Sequence, residues 1–543
     1  MEKKMRGADC VLTNANVITM NPAHPRAQAV AVWCGRILFV GNTSEAKQFV
    51  GEKTAELDLK GKTVIPGFNE AHNHLINYGL KLNQVDLKYP DVKSIKDIQD
   101  RLHRKSREER AGSWILGGGY DNNNLIENRH PTCQELDAAS PKNPAVIDHS
   151  SLHMCVANSS AMKLAGISRS TPDPDGGKIV RTDGGEPTGL LQETAQTIVK
   201  SVIPKPTVMQ MRKAIASANS KYLEQGITSS QDAWLGLNSD VEMRAYQEAA
   251  ENGELKVRTS VMPDARLLIQ SNFSLGFGLR GNFGNEMLKI GPLKLFVDGS
   301  LIGKTAAVYE PYLNDPNNTG MLVIEEKELA RMIDEGHQQG WQLAMHAVGD
   351  RAIHTAILMV ESSLRSHPRE NHRHRIEHCG LLNDQILQKI RQLNMVVIAQ
   401  PRFIYELADG FRKVLGRNCA QRMLRLRSLL NSGIAVAFGS DRPVADGSPM
   451  LGIWHAVEQK TIQGEEHNYG EAITAEEALR AYTIGGAFSS FEENVKGSIE
   501  EGKYADMAVL DQDPTNCPAA EIKHIRVLAT MVGGRILYDA LKT

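Results

Sequence analysis

The chain has 543 residues, a length that suits two to four domains or one large barrel with a smaller unit beside it. Its hydrophobic share of 41% and charged share of 23% are those of an ordinary globular protein, and a formal net charge of -2 with no block of like charge gives no electrostatic footprint for nucleic acid or an anionic membrane. Seven scattered cysteines without a CxxC pair argue against a disulfide framework or a thiolate zinc site, and for reduced thiols in a cytoplasm.

No apolar core follows the basic residues of Met1 to Cys10, and no run approaches the roughly 18 apolar residues of a bilayer span, so neither secretion nor membrane insertion is expected. From about residue 8 to 62 the chain reads as short strands: Ala8 to Leu12, Val17 to Met20, and Ala29 to Trp33 with Arg36 to Val40 around a Cys34-Gly35 hairpin. Strands recur near the other end at Gly497 to Ile499, Ala508 to Leu510, Val527 to Val532 and Arg535 to Tyr538, the last two joined by Gly533-Gly534. The expected organisation is a β-sandwich domain from residues 1–62 and 490–543, with an α/β region over 63–489 between its halves.

After Lys289 that region alternates strands with helices. The strands are Leu293 to Val297, Gln342 to Met345, Arg375 to Glu377, Val396 to Ala399 and Ala435 to Phe438; the helices include Glu326 to Gln339, Asp350 to Ser366, Asn383 to Leu393 and Ala420 to Ser432. The rhythm predicts a parallel sheet and, at this length, a TIM-like (β/α)8 barrel with an inserted subdomain at about 80–280. The basic run from Arg101 to Arg110, interleaved with Glu108 and Glu109, reads as the solvated face of a helix.

Plausible metal ligands gather where those strands end, the catalytic face of such a barrel. His72 and His74 follow the apolar Val64-Ile65 and the bend at Pro66-Gly67; in extended backbone, residues i and i+2 face one way, so the two imidazoles can aim at one point. His346, His378 and Asp441 each follow a predicted strand, and Lys294 lies within one. Each residue has a plainer reading on its own, as a core histidine, a helix cap or an outward lysine. Their order on successive strands is what points to a metal. Gly117-Gly118-Gly119 lacks a following GK[ST] and is no phosphate loop, Cys379 reads as packing, and Asp298 and Asp350 after strands could buttress the ligands.

Together these stretches resemble the amidohydrolase superfamily, in particular its branch of long metal-dependent enzymes that includes N-substituted formamide deformylases. The resemblance rests on PGFNEAHNH (66–74), WILGGGYDNN (114–123), GEPTGLLQETA (185–195), KLFVDGSL (294–301), MHAVGDRA (345–352), RIEHCG (375–380), FGSDRPV (438–444) and GSIEEGKYADMAVLDQDP (497–514). It implies that His72 and His74 hold one divalent metal and His346 and His378 a second, with carbamylated Lys294 bridging them and Asp441 serving as both ligand and proton acceptor. Zinc is the default ion. An unmodified ammonium offers no acceptor to a metal, so without the modification Glu193 is the candidate bridge.

The resemblance also offers His153 as a hydrogen-bond donor to the developing oxyanion, with a packing role as the other reading. Asp121 could line a substrate pocket or make a turn, and Arg402 could meet a substrate anion. Glu70 stands where the pattern usually has Asp, and Asn69 where it usually has an apolar residue. The expected activity is metal-dependent hydrolysis of a C–N bond in a small non-peptide amide, by a homodimer. The alternatives are a heterocycle deaminase and a non-catalytic scaffold. Deaminases of this fold carry a glutamate three residues after the fifth-strand histidine, where this chain has Gly349; a scaffold would have lost ligands, yet all six positions hold competent residue types.

Overall fold

The computed structural model of the chain describes residues 7–150, 153–236, 239–266 and 280–541. The first residues of the basic N-terminus, 1–6, and a stretch of the expected inserted region, 267–279, lie outside them. The chain divides into two compact units, one of Met1–Tyr78 with Ile215–Thr543 and one of Gly79–Ala214.

In the first unit, both ends of the chain share a six-stranded sheet in the order Arg535–Asp539, Val527–Val532, Met507–Leu510, Thr63–Pro66, Asn16–Ile18, Arg26–Ala27. A four-stranded sheet of Arg36–Gly41, Ala29–Trp33, Cys10–Thr13 and Ala55–Asp58 accompanies it. Val30, Val32, Leu12, Val64, Met507 and Met531 from the two sheets share one hydrophobic cluster. Alternation of inward apolar residues makes these strands, as β-branched side chains suit a half-buried pleat. Gly497–Ile499, expected as a strand, has no ladder: Ile499 donates its single backbone hydrogen bond to Thr19 O at 2.8 Å.

Thr63–Pro66 runs through Gly67 into Phe68–Asn73, the first strand of the α/β part. That part holds two all-parallel sheets. One pairs Phe68–Asn73, Ile227–Leu235, Arg258–Pro263 and Leu288–Ile290; the other pairs Leu293–Phe296, Leu343–Ala347, Arg375–His378, Val396–Ala399 and Ala435–Phe438. Val396–Ala399 is buried along its length, as a parallel strand covered on both faces should be. An isolated parallel bridge, Asp264 to Lys294, links the two sheets, and among the described residues no continuous ladder closes them into a barrel. The helices Glu326–Gln338, Asp350–Ser366 and Asp384–Gln392 occupy the expected connections. The helix expected from Ala420 to Ser432 is instead two short ones, Arg417–Ala420 and Leu426–Asn431, because Leu424 between them takes a left-handed φ of 53° and donates its N–H to Gly380 O.

The second unit carries a mixed sheet in the order Gly177–Arg181, Pro187–Glu193, Met154–Ala157, Ala145–His149, Ile115–Tyr120, Val85–Asp86. The helix Ile95–Glu108 places Ile98 and Leu102 against Ile115, Ile147 and Val156, and exposes most of its basic run. The next helix, Cys133–Ala139, starts at a capping box in which Thr132 and Glu135 satisfy each other's backbone N–H groups.

Candidate metal centre

The centre forms where strand ends of the first unit converge. His72 lies near the end of the wholly buried strand Phe68–Asn73, and His74 follows on the same side; their ring centroids are 5.8 Å apart. The Asp441 N–H donates to His72 O at 2.8 Å, which sets its carboxylate over both rings: Oδ1 is 3.5 Å from His72 Nε2 and 3.2 Å from His74 Nε2. Only glycine permits this approach at position 439, where a Cβ would stand 2.6 Å from His72 N. Burial alone would raise the Asp441 carboxyl, but hydrogen bonds from His72 and His74 hold it well below the usual carboxylate range.

His378 ends the strand Arg375–His378. Its Nδ1 donates to Gln400 Oε1 at 3.0 Å, which leaves Nε2 as the acceptor nitrogen. His72 Nδ1 is likewise hydrogen-bonded to the Glu377 carboxylate, leaving Nε2 free to ligate. One ligand atom each from His72, His378 and Asp441 lie within 4.8 Å of one another, the one such group among the described residues. His378 and Asp441 hold left-handed φ values of 69° and 58°, strain of about 1–3 kcal/mol each that surrounding contacts must sustain.

His346 meets this group edge to face, its ring centroid 4.6 Å from that of His378. Its Nε2 donates to Gly299 O at 3.1 Å, so Nδ1 is its acceptor, and burial pushes its pKa down to about 4, keeping the ring neutral. Lys294 is 1% exposed, has no carboxylate within ion-pair distance among the described residues, and sets its Nζ 5.0 Å from the Phe296 ring centre. Desolvation lowers its pKa to about 8, partly offset by the charges of Glu377 and Asp441.

This donor set fits a divalent cation. Two imidazoles and one ionised carboxylate converge there, and the Nδ1 of each ring is tied up by a hydrogen bond that leaves Nε2 toward the cluster. Glu70, longer than the aspartate of the usual pattern, reaches the loop that carries Asp441 and accepts the Ser440 N–H at 2.7 Å. Asn69 accepts from Gln231 at 3.3 Å. Asp298 accepts backbone N–H groups from Ala307, Val348 and Gly349 and lies 3.7 Å from His346 Nε2, whereas Asp350 serves Tyr309 and Arg422 instead of a ligand.

Three other sequence candidates make contacts of their own. Arg402 is buried and spends its guanidinium on Glu406 and on His455 Nε2, 2.8 Å away. Asp121, in the second unit, caps the turn at Asn123 and lies 3.6 Å from His149 Nε2. His153 belongs to that unit as well; it is largely exposed, and its Nδ1 is 3.0 Å from Glu193 Oε2. The residues that sequence reasoning passed over are Glu377, Arg375 and Gln400. The signal was present: Arg375 and Glu377 are two charges at i and i+2 in a strand too apolar in its surroundings to leave either unpaired.

The model of the amidohydrolase family matches residues 55–538. The chain belongs to the amidohydrolase family. Protein LONG AFTER FAR-RED 3 of Arabidopsis thaliana is 34% identical to this amidohydrolase over 98% of this chain and 92% of its own. The N-substituted formamide deformylase of Arthrobacter pascens is 30% identical over 98% of each chain. The crystal structure of an uncharacterized metal-dependent hydrolase from Pyrococcus furiosus superposes with a TM-score of 0.77 at 29% identity, over 93% of this chain and all of that one. This amidohydrolase is thus a metal-dependent hydrolytic enzyme acting on carbon–nitrogen bonds other than peptide bonds. No described helix is long and apolar enough to cross a membrane.

Proposed function

We propose that this amidohydrolase cleaves small linear amides, N-substituted formamides or close relatives, and that its two parallel sheets form the wall of a (β/α)8 barrel with the reaction at its C-terminal rim. The observation that carries the reading is the convergence of His72, His378 and Asp441, with the Asp441 carboxylate facing a second histidine, His74. The Asp264–Lys294 bridge on one side and the Asp441–His72 hydrogen bond on the other support the barrel.

In this reading His72, His74 and Asp441 would hold one ion, and His346 and His378 a second, with zinc the ion expected for such ligands. Lys294, buried and with its pKa lowered to about 8, would add its free amine to carbon dioxide, with the amine proton lost to solvent, and would offer the resulting carbamate as a further oxygen ligand. Bound divalent cations supply Lewis-acid polarisation of the amide carbonyl and lower the pKa of water. Asp441, held as a carboxylate, takes the proton of the attacking water as its oxygen adds to the carbonyl carbon. The same group then returns that proton to the leaving nitrogen as the C–N bond breaks, giving a carboxylic acid and an amine.

Ring deamination is disfavoured by space as well as by sequence. A Cβ at Gly349 would stand 2.0 Å from Ala307 O, so the glutamate that such deaminases place there has no room. Incubating the metal-replete enzyme with formamides, ureas, N-acyl amino acids and aminated heterocycles tests the assignment. Amine release from linear amides is the expected outcome; ammonia from heterocycles alone would overturn it.

A further inference from the structure

We infer that Glu377 is a positioning residue that, held by Arg375, fixes the tautomer and orientation of His72 and so sets the affinity of the metal centre. The inference rests on the metal-site reading above and extends it to residues that touch neither substrate nor ion.

Arg375 and Glu377 are both fully buried. Arg375 meets Glu377 through two hydrogen bonds, Nε to Oε1 at 2.8 Å and Nη2 to Oε2 at 3.0 Å. Glu377 Oε2 also receives His72 Nδ1. The remaining Arg375 donors go to Ala71 O, at 2.9 Å, and to Gln231 Oε1. Gln231 in turn donates its amide to Asn69 Oδ1 at 3.3 Å, Gly486 O at 3.1 Å and Ser489 Oγ at 3.2 Å. The charge of the carboxylate is thus fixed from three sides, and the network is anchored on four elements of the first unit.

A pair this deep is a poor device for stability. Removing two ions from water costs several kcal/mol each, and well-packed apolar replacements are often neutral or better. What apolar residues could not do is accept the Nδ1 proton of His72. A carboxylate at Nδ1 holds a proton on that nitrogen, so that Nε2, the nitrogen facing Asp441, is the one a metal can claim, and makes the imidazole a stronger ligand. Arg375 prevents Glu377 from rotating away, since the guanidinium fork holds both oxygens in one plane. The strand supplies the geometry: at i and i+2, Arg375 and Glu377 share one face, while His378 turns out at the strand end with its φ of 69°.

The test is Glu377→Gln, read by metal affinity rather than by turnover alone. Apo protein is titrated with zinc against a chromophoric chelator, and the melting temperature of the metal-free form is measured in parallel. The expected result is a 10- to 100-fold loss of zinc affinity in a variant that still folds without metal, its apo melting temperature lowered because Arg375 loses its buried counter-charge. Glu377→Asp, which keeps the charge but falls short of His72, should also lose affinity; it carries the test if the glutamine variant fails to fold. Zinc affinity within twofold of wild type in a folded variant would overturn the inference. So would an affinity loss that only tracks a collapse of the apo fold. Wild-type protein that binds no zinc would instead sink the metal-site reading itself.

Discussion

Asp298 offers a perturbation whose size can be worked from its contacts. Its Oδ2 accepts the N–H groups of Ala307 and Gly349 at 3.0 and 2.9 Å, and its Oδ1 accepts that of Val348 at 3.0 Å. Asp298→Asn keeps one oxygen, able to serve two donors, but turns an amide NH2 toward the third. One buried N–H is then orphaned, at a cost of about 1–3 kcal/mol. Asp298→Ala orphans all three, about 3–9 kcal/mol, as much as the whole margin of many domains, so the asparagine variant is the informative one. Val348 and Gly349 follow directly on the His346 strand, so their release also loosens that ligand. Denaturant unfolding of the chelator-treated protein should show the midpoint falling by an amount equivalent to 1–3 kcal/mol, about the cost above, and catalytic efficiency should drop more than the roughly tenfold that 1.4 kcal/mol represents. A variant with unchanged midpoint and full activity would refute the idea that this carboxylate organises the loop.

Asp441→Asn should abolish turnover while leaving the far-ultraviolet spectrum and melting temperature close to wild type; retained activity would remove Asp441 from proton transfer. Lys294→Ala should be inactive and partly restored by added short carboxylic acids, whereas full activity without them would exclude a lysine bridge. Acid should weaken the fold through His372, which burial pushes down to about 4 and which accepts the His374 N–H at Nδ1 while donating to Leu393 O. Its unfolded pKa near 6.5 is the higher, so its contribution is complete above about pH 6.5 and falls by about 1.4 kcal/mol per unit as pH drops toward 4. Unfolding midpoints at pH 7 and pH 5 should differ accordingly, and His372→Gln should flatten the difference.

Sequence made the strand-borne part of the site legible because period and position carry it. His72, His378 and Asp441 stand at the ends of apolar runs, and ends of parallel strands converge in space. What joins residues across strands left little trace. Glu377 meets His72 only because Arg375–His378 and Phe68–Asn73 come together in three dimensions, and no local pattern encodes that. Arg402 shows a contact of the readable kind. Its place after a strand suggested a substrate anion, whereas Glu406 one helical turn on already answers its charge, a relation readable as an i,i+4 pair. The break at Leu424 depends on a backbone bond to Gly380, a partner that the propensity of Ala420 to Ser432 cannot reveal.

The central claim is that the cluster containing His72, His378 and Asp441 holds divalent metal. Anomalous scattering from crystals of protein purified without chelators tests it most directly. The account predicts a transition-metal peak among those three side chains, lost in His72→Ala. A chain that carries no transition ion after growth and purification in zinc, with these side chains placed as described, would contradict it.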